Sequence, residues 1–257
     1  MTAKQAYDQV AKRARLLLRL HDGLVNTRQR RIRVDWKSSF CRFMRWPQGA
    51  AIERVDSKDA VLVLRDGAAI TGKDFSGSAL DDLLRSSLTL GLSALDRYIH
   101  ERIVKRVVTS LRSADLLPAQ EKLTIPAILA LRMTEALRTA SQDGTQVRPA
   151  NQLRIALQDS LHKRTFQRWG DIEAAFELIG VGGLAGKLQT AYHVGDITPI
   201  RAQLNKIVER RNFIVHEGDL VRHQRGGQTR VYPIARKYVA ESLDFLDTFV
   251  GHLEAVN

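Results

Sequence analysis

Three polar residues lie within six positions of the segment RRNFIVHEGD, residues 210–219: Arg211, Asn212 and His216. An imidazole that titrates near neutral pH can take a proton from a hydroxyl or give one to a leaving oxygen. A guanidinium can bind two phosphate oxygens and stabilise the charge that develops on them. Asn212 can orient the imidazole or bind a phosphate oxygen. These side chains are those that cleavage of RNA without a metal ion requires.

The elements that must position them can be predicted from the surrounding pattern. A helix is expected over 199–217, with Thr198 as its cap, Pro199 in its first turn and Gly218 in the left-handed conformation at its end. Arg211 lies in the middle of an apolar arc of about 120°. The arc consists of Leu204, Ile207, Val208, Ile214 and Val215. A guanidinium there is unfavourable unless a carboxylate or a phosphate meets it.

A purely structural interpretation of the same residues remains open. Arg211 can pair with a buried acid such as Asp96 or Glu101, and His216 can stabilise the C-terminal end of the helix, where a cation is favoured. His100, four positions after Asp96 on another predicted helix, is interpreted first as an ordinary structural histidine. Asp96 and His100 are also candidates for a supporting role at the site.

From about residue 79 the pattern is helical almost to the end of the chain, and no strand is expected there. A helical bundle is predicted. The predicted helices are 79–113, with a possible break near Gly91, then 122–141, 150–168, 171–179, 183–193, 199–217 and 234–255. The Gly-rich stretch 180–186 is preceded by helical spacing and not by a strand, so it indicates a helix stop and restart and not a dinucleotide site.

The spacing R-x-x-x-x-H from Arg211 to His216, with Asn212 after the Arg, resembles the HEPN superfamily. The segments LLRSSLTLGLSALDRYIHE, 83–101, and TFQRWGDIEAAFELIGV, 165–181, are similar to the RiboL-PSP group of that superfamily. The resemblance covers about 79–257. It implies an all-α domain acting as a dimeric, metal-independent endoribonuclease, a toxin or an antiviral-defence effector, with an antitoxin or regulatory partner. Gly218 stands where one branch has a modified Tyr, so the resemblance does not extend to that branch.

The first part of the chain, 1–75, is expected to be a basic N-terminal extension with a helix over 3–20 and a hairpin of two strands within 51–64. A Gly-rich linker, 66–78, separates it from the domain 79–257. Residues 1–46 contain twelve Lys or Arg and three Asp, within a chain of net charge +12. Such an excess favours a polyanionic partner, nucleic acid above all.

Residues 28–46 interleave cations with aromatic rings, which suits an RNA-binding arm. The candidates are Arg28, Arg30, Arg31, Arg33 and Trp36. An equal alternative is a basic-faced helix or strand whose rings pack against the protein. Arg222 and Arg225, in a basic stretch after the motif, are candidates for a positive rim that guides RNA.

Several classes of protein are disfavoured by composition. The single cysteine, Cys41, cannot form an internal disulfide, and neither a signal peptide nor a spanning segment is evident. A cytoplasmic protein with no membrane association is expected. No metal-binding or cofactor motif is present, so no metal and no cofactor is predicted. Two other functions remain open: a non-catalytic RNA-binding or adaptor protein of the same fold, and a structural subunit whose basic arm binds an acidic protein.

Overall fold

The protein is described by a computed structural model covering residues 1–25, 27–30, 32–57, 60–65, 69–75, 77–113, 115–121, 123, 127–143, 149–221 and 230–256. It is mostly helical, with one small antiparallel sheet. The all-α prediction with a small mixed N-terminal part is therefore confirmed at that level. The helices are α1 Ala3–Leu24, α2 Val34–Phe43, α3 Asp81–Ser113, α4 Pro118–Glu121, α5 Ala127–Gln142, α6 Pro149–Leu161, α7 Trp169–Leu178, α8 Leu184–Tyr192, α9 Thr198–Glu217 and α10 Arg236–Ala255.

Helix α3, 33 residues long, is the centre of the bundle. It contacts α1, α6, α7, α9 and α10. Apolar side chains at helical spacing make its buried faces, since each surrounding helix covers a different side of it. The fully buried ones include Leu88, Leu92, Leu95, Ile99 and Ile103. The described candidate site residues of the helical part therefore lie either on α3 itself or on α9, which packs against α3.

The break predicted near Gly91 does not occur, because α3 continues through that residue. The glycine is instead a point of close approach between α3 and α10. A Cβ added at Gly91 would lie 2.4 Å from Cδ2 of Leu243. Gly91 thus lets the two helices pack closely, which offsets its weak helix propensity.

Helix α1 belongs to the core of the bundle, although the sequence placed it in the N-terminal extension. The Tyr7 hydroxyl donates to Asp247 on α10 at 2.5 Å, and Arg15 pairs with Asp247 and Asp244. Burial and this hydrogen bond raise the pKa of Tyr7 far above its usual value, so the hydroxyl stays protonated. On α3, the Ser87 hydroxyl donates to the Ala14 carbonyl of α1.

The sheet has the order β1-β2-β3, and both strand pairs are antiparallel. Its strands are β1 Arg28–Arg30, β2 Ile52–Asp56 and β3 Val61–Arg65. The predicted hairpin is confirmed, with Ile52 opposite Arg65 and Asp56 opposite Val61. The predicted linker 66–78 contains short 3₁₀ turns in the part that is described, 69–75 and 77–78, and the Gly72 amide donates to Glu53 of β2.

The glycine stretch between α7 and α8 ends one helix and begins the next, as the sequence predicted. Gly180 has a φ of 87° and Gly183 a φ of 66°, both in the region that favours glycine. Among the described helices, none is long and apolar enough to cross a membrane.

We expect Gly91→Ala to lower the free energy of unfolding by about 1–3 kcal/mol, because the added methyl group must displace Leu243 from its packed position. The matched control is Gly251→Ala on α10, where a Cβ would meet no atom within 4 Å. That change should leave the stability unaltered or raise it by up to about 1 kcal/mol. Urea titration followed by circular dichroism measures both, and equal effects would show that Gly91 is not a packing contact.

Candidate functional site

Helix α9 carries the predicted catalytic residues and has well-defined ends. Ile197 is its N-cap residue, and Asp196, not the predicted Thr198, supplies the side-chain acceptor, taking the Thr198 amide at 2.9 Å. This hydrogen bond holds the pKa of Asp196 below its usual value. The Thr198 side chain cannot cap the start because its own residue is already helical. The end of the helix is as predicted, since Gly218 has a φ of 61°.

Directly after α9, the carboxylate of Asp219 is fully buried between two arginines. Arg85 of α3 donates its Nε to Oδ2 at 2.7 Å, and Arg210 of α9 donates Nη2 to the same oxygen at 2.8 Å. Nη1 of Arg210 also lies 2.5 Å from Oδ1 as an ion pair, outside hydrogen-bond alignment. We call these three residues the Asp219 clamp.

The clamp fixes both side chains and main chain. Burial disfavours the charge of Arg85, but the hydrogen bonds that it donates to Asp219 and Asp82 outweigh burial and raise its pKa. Arg85 also donates to the Tyr232 carbonyl at 2.8 Å, and the Tyr232 amide donates to the Asp219 carbonyl at 2.8 Å. Leu220 and Val231 form a single antiparallel bridge beside it. The chain leaving α9 and the chain entering α10 are thus held together.

The Asp219 clamp was not predicted from the sequence. Its one local signal is the Gly218-Asp219 pair, because Asp tolerates the left-handed conformation better than most residues do, and Asp219 has a φ of 59°. Its partners could not be found from spacing, since Arg85 is 134 residues away in the chain. Arg210 was passed over in favour of its neighbour Arg211.

Arg211 is half-buried and lies beside Asn212, to whose Oδ1 it donates Nη1 at 3.1 Å. Its Nε is buried without a hydrogen-bond partner. The structural alternative required a buried acid here, but Asp96 and Glu101 are engaged elsewhere, Glu101 with Arg97 and Arg154. Within the described part of the chain, Arg211 has no carboxylate partner.

His216 is exposed in the last turn of α9, one turn after Asn212 on the same side. Among the described residues it has no hydrogen bond or ion pair. Val215 was expected in the apolar arc but is 47% exposed. The bundle core covers that arc fully at Leu204 and Val208 and partly at Ile214, but it does not reach Val215. The end of α9 therefore presents both an imidazole and an apolar side chain at the surface.

Asp96 and His100 form a structural cluster on α3. Oδ1 of Asp96 accepts the Phe166 amide at 2.6 Å, and Nε2 of His100 lies 3.0 Å from the Arg164 carbonyl and 3.5 Å from Oδ2 of Asp96. The His100 and Phe166 rings meet edge to face, 4.9 Å apart. These contacts fasten the connection between α6 and α7. In the described chain, no hydrogen bond or ion pair links either residue to Arg211 or His216.

The N-terminal candidates lie on β1 and α2. Arg28, Arg30 and Arg33 are exposed, and Arg30 lies 3.9 Å from Asp56. Trp36 is 39% exposed and stacks on Phe40, with ring centroids 5.0 Å apart. Arg54 lies over the Trp36 ring at 5.8 Å, and Phe40 also meets Trp46 at its edge. Arg31, Arg222 and Arg225 lie outside the described residues.

Comparison of the chain with protein-family models, with curated proteins and with solved structures gives no match. The search for a metal site finds no group of three or more His, Cys, Asp or Glu side chains in a binding arrangement among the described residues. The features that bear on function are therefore the geometry of α9, its surroundings and the N-terminal surface.

We expect Asp219→Asn to lower the free energy of unfolding by about 3–5 kcal/mol, because the buried Arg85 and the partly buried Arg210 lose their shared counter-ion. The control is Asp22→Asn, which breaks an exposed ion pair with Arg236. That change should cost less than about 1 kcal/mol. Denaturant midpoints measure both, and a similar small cost for the two variants would contradict the clamp.

Proposed function

We propose that the chain is an endoribonuclease in which Arg211 binds the scissile phosphate, His216 transfers the proton and Asn212 holds the Arg. The resemblance to HEPN ribonucleases motivates the proposal, and the geometry of α9 is compatible with it. By the same resemblance, we propose a role as a toxin or antiviral-defence effector in the cytoplasm, controlled by a regulatory partner.

The observation that carries the proposal is the contrast between two adjacent arginines. Arg210 is neutralised by Asp219, whereas the neighbouring guanidinium of Arg211 is half-buried with no carboxylate among the described residues. A partly desolvated cation is stabilised by an anion that binds it, and a phosphodiester matches its planar donors. This unneutralised charge, on the helix that also carries an exposed imidazole, favours a phosphate ligand over a structural role.

The chemistry follows from the residues and from RNA itself. His216 takes the proton of the 2′-hydroxyl, whose oxygen attacks the adjacent phosphorus while the bond from phosphorus to the 5′-oxygen breaks. Arg211 stabilises the added negative charge on the phosphate oxygens. A proton returned through the imidazole or from water completes the 5′-hydroxyl, and the other product carries a 2′,3′-cyclic phosphate. Neither an activated water nor a cofactor enters this step.

A dimer solves a geometric difficulty in this scheme. Five positions separate Arg211 from His216, which places them about 140° apart around one helix, so they do not point at the same atom. Two copies of α9 across a two-fold axis can bring the Arg of one chain to the His of the other. Apolar side chains exposed around the end of α9, Val215, Leu220 and Val231, suit such a contact.

A non-catalytic RNA-binding protein is the alternative that the N-terminal surface favours. Arg28, Arg30 and Arg33 are exposed, and Arg54 lies over the exposed Trp36 ring. Such a surface can hold single-stranded RNA by charge and stacking without cutting it. The cleavage assay separates the two functions, because an adaptor binds RNA and leaves it intact.

We expect purified protein to cut RNA in the presence of excess EDTA, with 5′-hydroxyl and 2′,3′-cyclic phosphate ends. His216→Ala should lower the rate by at least about 100-fold because the proton acceptor is lost. His162→Ala, another exposed histidine, is the control. Mapping of cut ends and single-turnover rates give the result. Cleavage by His216→Ala at the wild-type rate, or RNA binding without any cleavage, would overturn the proposal.

For the composite site, we expect Arg211→Ala and His216→Ala proteins, each inactive alone, to regain cleavage when they exchange subunits. A mixed dimer has one site with both residues and one with neither, so activity should reach about half of the wild-type value per dimer. Light scattering and separate affinity tags establish that mixed dimers are present. If such dimers form and no cleavage returns, the two residues do not act across the interface.

A further inference from the structure

A cavity of about 500 Å³ lies along α9, and Glu209 in its lining is on the face that bears His216. Its first wall is the α9 stripe that includes Lys206, Glu209 and Phe213, spaced by three and four positions. Its second wall runs from Tyr232 to Tyr238, where the chain enters α10. The Asp219 clamp holds this second wall against α9 through the main chain of Tyr232.

Three aromatic rings contribute to the lining of the cavity. The rings of Phe213 and Tyr232 have centroids 6.4 Å apart and are inclined by 51°, so they contact each other and form one bent aromatic surface. The guanidinium of Arg210 lies 5.7 Å from the centre of the Tyr232 ring and supports it from the clamp. Tyr238 adds a third ring to the lining. An aromatic surface of this kind suits a flat aromatic ligand, and unpaired nucleobases are bound by stacking on such side chains.

The charged side chains at the cavity indicate which nucleobase it can bind. Arg210 is engaged by Asp219 and by the Pro233 carbonyl at 3.1 Å. Lys206 and Glu209 are exposed, and neither has an ion pair within the described residues. A carboxylate only accepts hydrogen bonds, so Glu209 favours a base that presents adjacent N–H donors. Guanine does so with its ring N–H and its exocyclic amine, whereas uracil presents one donor between two acceptors. Lys206 can bind the phosphate.

The position of the cavity relates it to the candidate site. Glu209 and His216 are seven positions apart, so they share one face of α9, with about 10 Å between them along its axis. We propose that this cavity binds an unpaired guanine base and so selects where RNA is cut, an inference that rests on the proposed ribonuclease function. The base would stack against the aromatic surface that Phe213 and Tyr232 form, with Glu209 accepting from its donor edge.

The test uses His216→Ala protein, so that no cleavage disturbs it, and isothermal titration with the four ribonucleoside 5′-monophosphates. These carry the same phosphate charge, so differences between them report the base. We expect GMP to bind at least about tenfold tighter than UMP, as a bidentate contact to a base provides. Glu209→Gln should remove most of this preference while leaving the affinity for UMP unchanged. Glu177→Gln, an exposed glutamate on α7, is the matched control.

A second variant tests the stacking. Phe213→Leu keeps an apolar side chain but removes the ring, so GMP binding should weaken by about tenfold, with circular dichroism confirming the fold. Equal affinity for the four nucleotides, no binding, or a preference that Glu209→Gln leaves intact would overturn the guanine pocket. If the wild type cuts RNA without such a pocket, the ribonuclease proposal stands alone. If GMP binds as expected but the wild type cuts no RNA, the guanine-binding proposal is supported and the ribonuclease proposal is contradicted.

Discussion

The candidate region depends on the ion pairs that the buried carboxylate of Asp219 forms with Arg85 and Arg210. Through Arg85 it joins the end of α9 to the central helix α3, and through Arg210 it joins the last turns of α9 to the same point. Its main chain, together with Arg85, holds Tyr232, so the chain entering α10 is tied there as well. A charge with no exposed surface is tolerated here because two guanidiniums neutralise it and Oδ2 accepts a hydrogen bond from each of them. The end of α9 that carries His216 is therefore held against α3 by the clamp.

The clamp also explains why two adjacent arginines differ. Successive residues of a helix point about 100° apart, so Arg210 faces the clamp and Arg211 does not. One guanidinium is consumed in holding the fold, and the other is left beside Asn212 with no counter-ion in the described chain. The two arginines look redundant in the sequence, but Arg210 supports the fold while Arg211 keeps a positive charge that no described carboxylate neutralises.

The sequence was sufficient for the helical class, the hairpin and the end of α9, because these follow from local patterns. Periodicity predicted α9 to within a residue, and Gly218 marked its end. The sequence could not predict the continuity of α3 at Gly91, since that depends on the approach of Leu243 from another helix. The clamp was missed for the same reason, because residues far apart in the chain must meet. That Arg211 requires an anion stays a prediction, whereas Val215, which was expected in the apolar arc, is exposed because the core ends before it.

Asp219 has to meet two requirements that few residues meet together. Its backbone is left-handed, with a φ of 59°, which Gly or Asn accepts at least as well as Asp, while Glu accepts it poorly. Its carboxylate must reach two guanidiniums, which neither Gly nor Asn can neutralise. Asp alone combines the short, turn-compatible side chain with the charge. In any chain built on this plan, a Gly-Asp pair just beyond the histidine should therefore be accompanied by an arginine near the start of the long central helix. That long-range combination is a more selective search pattern than the six-residue motif by itself.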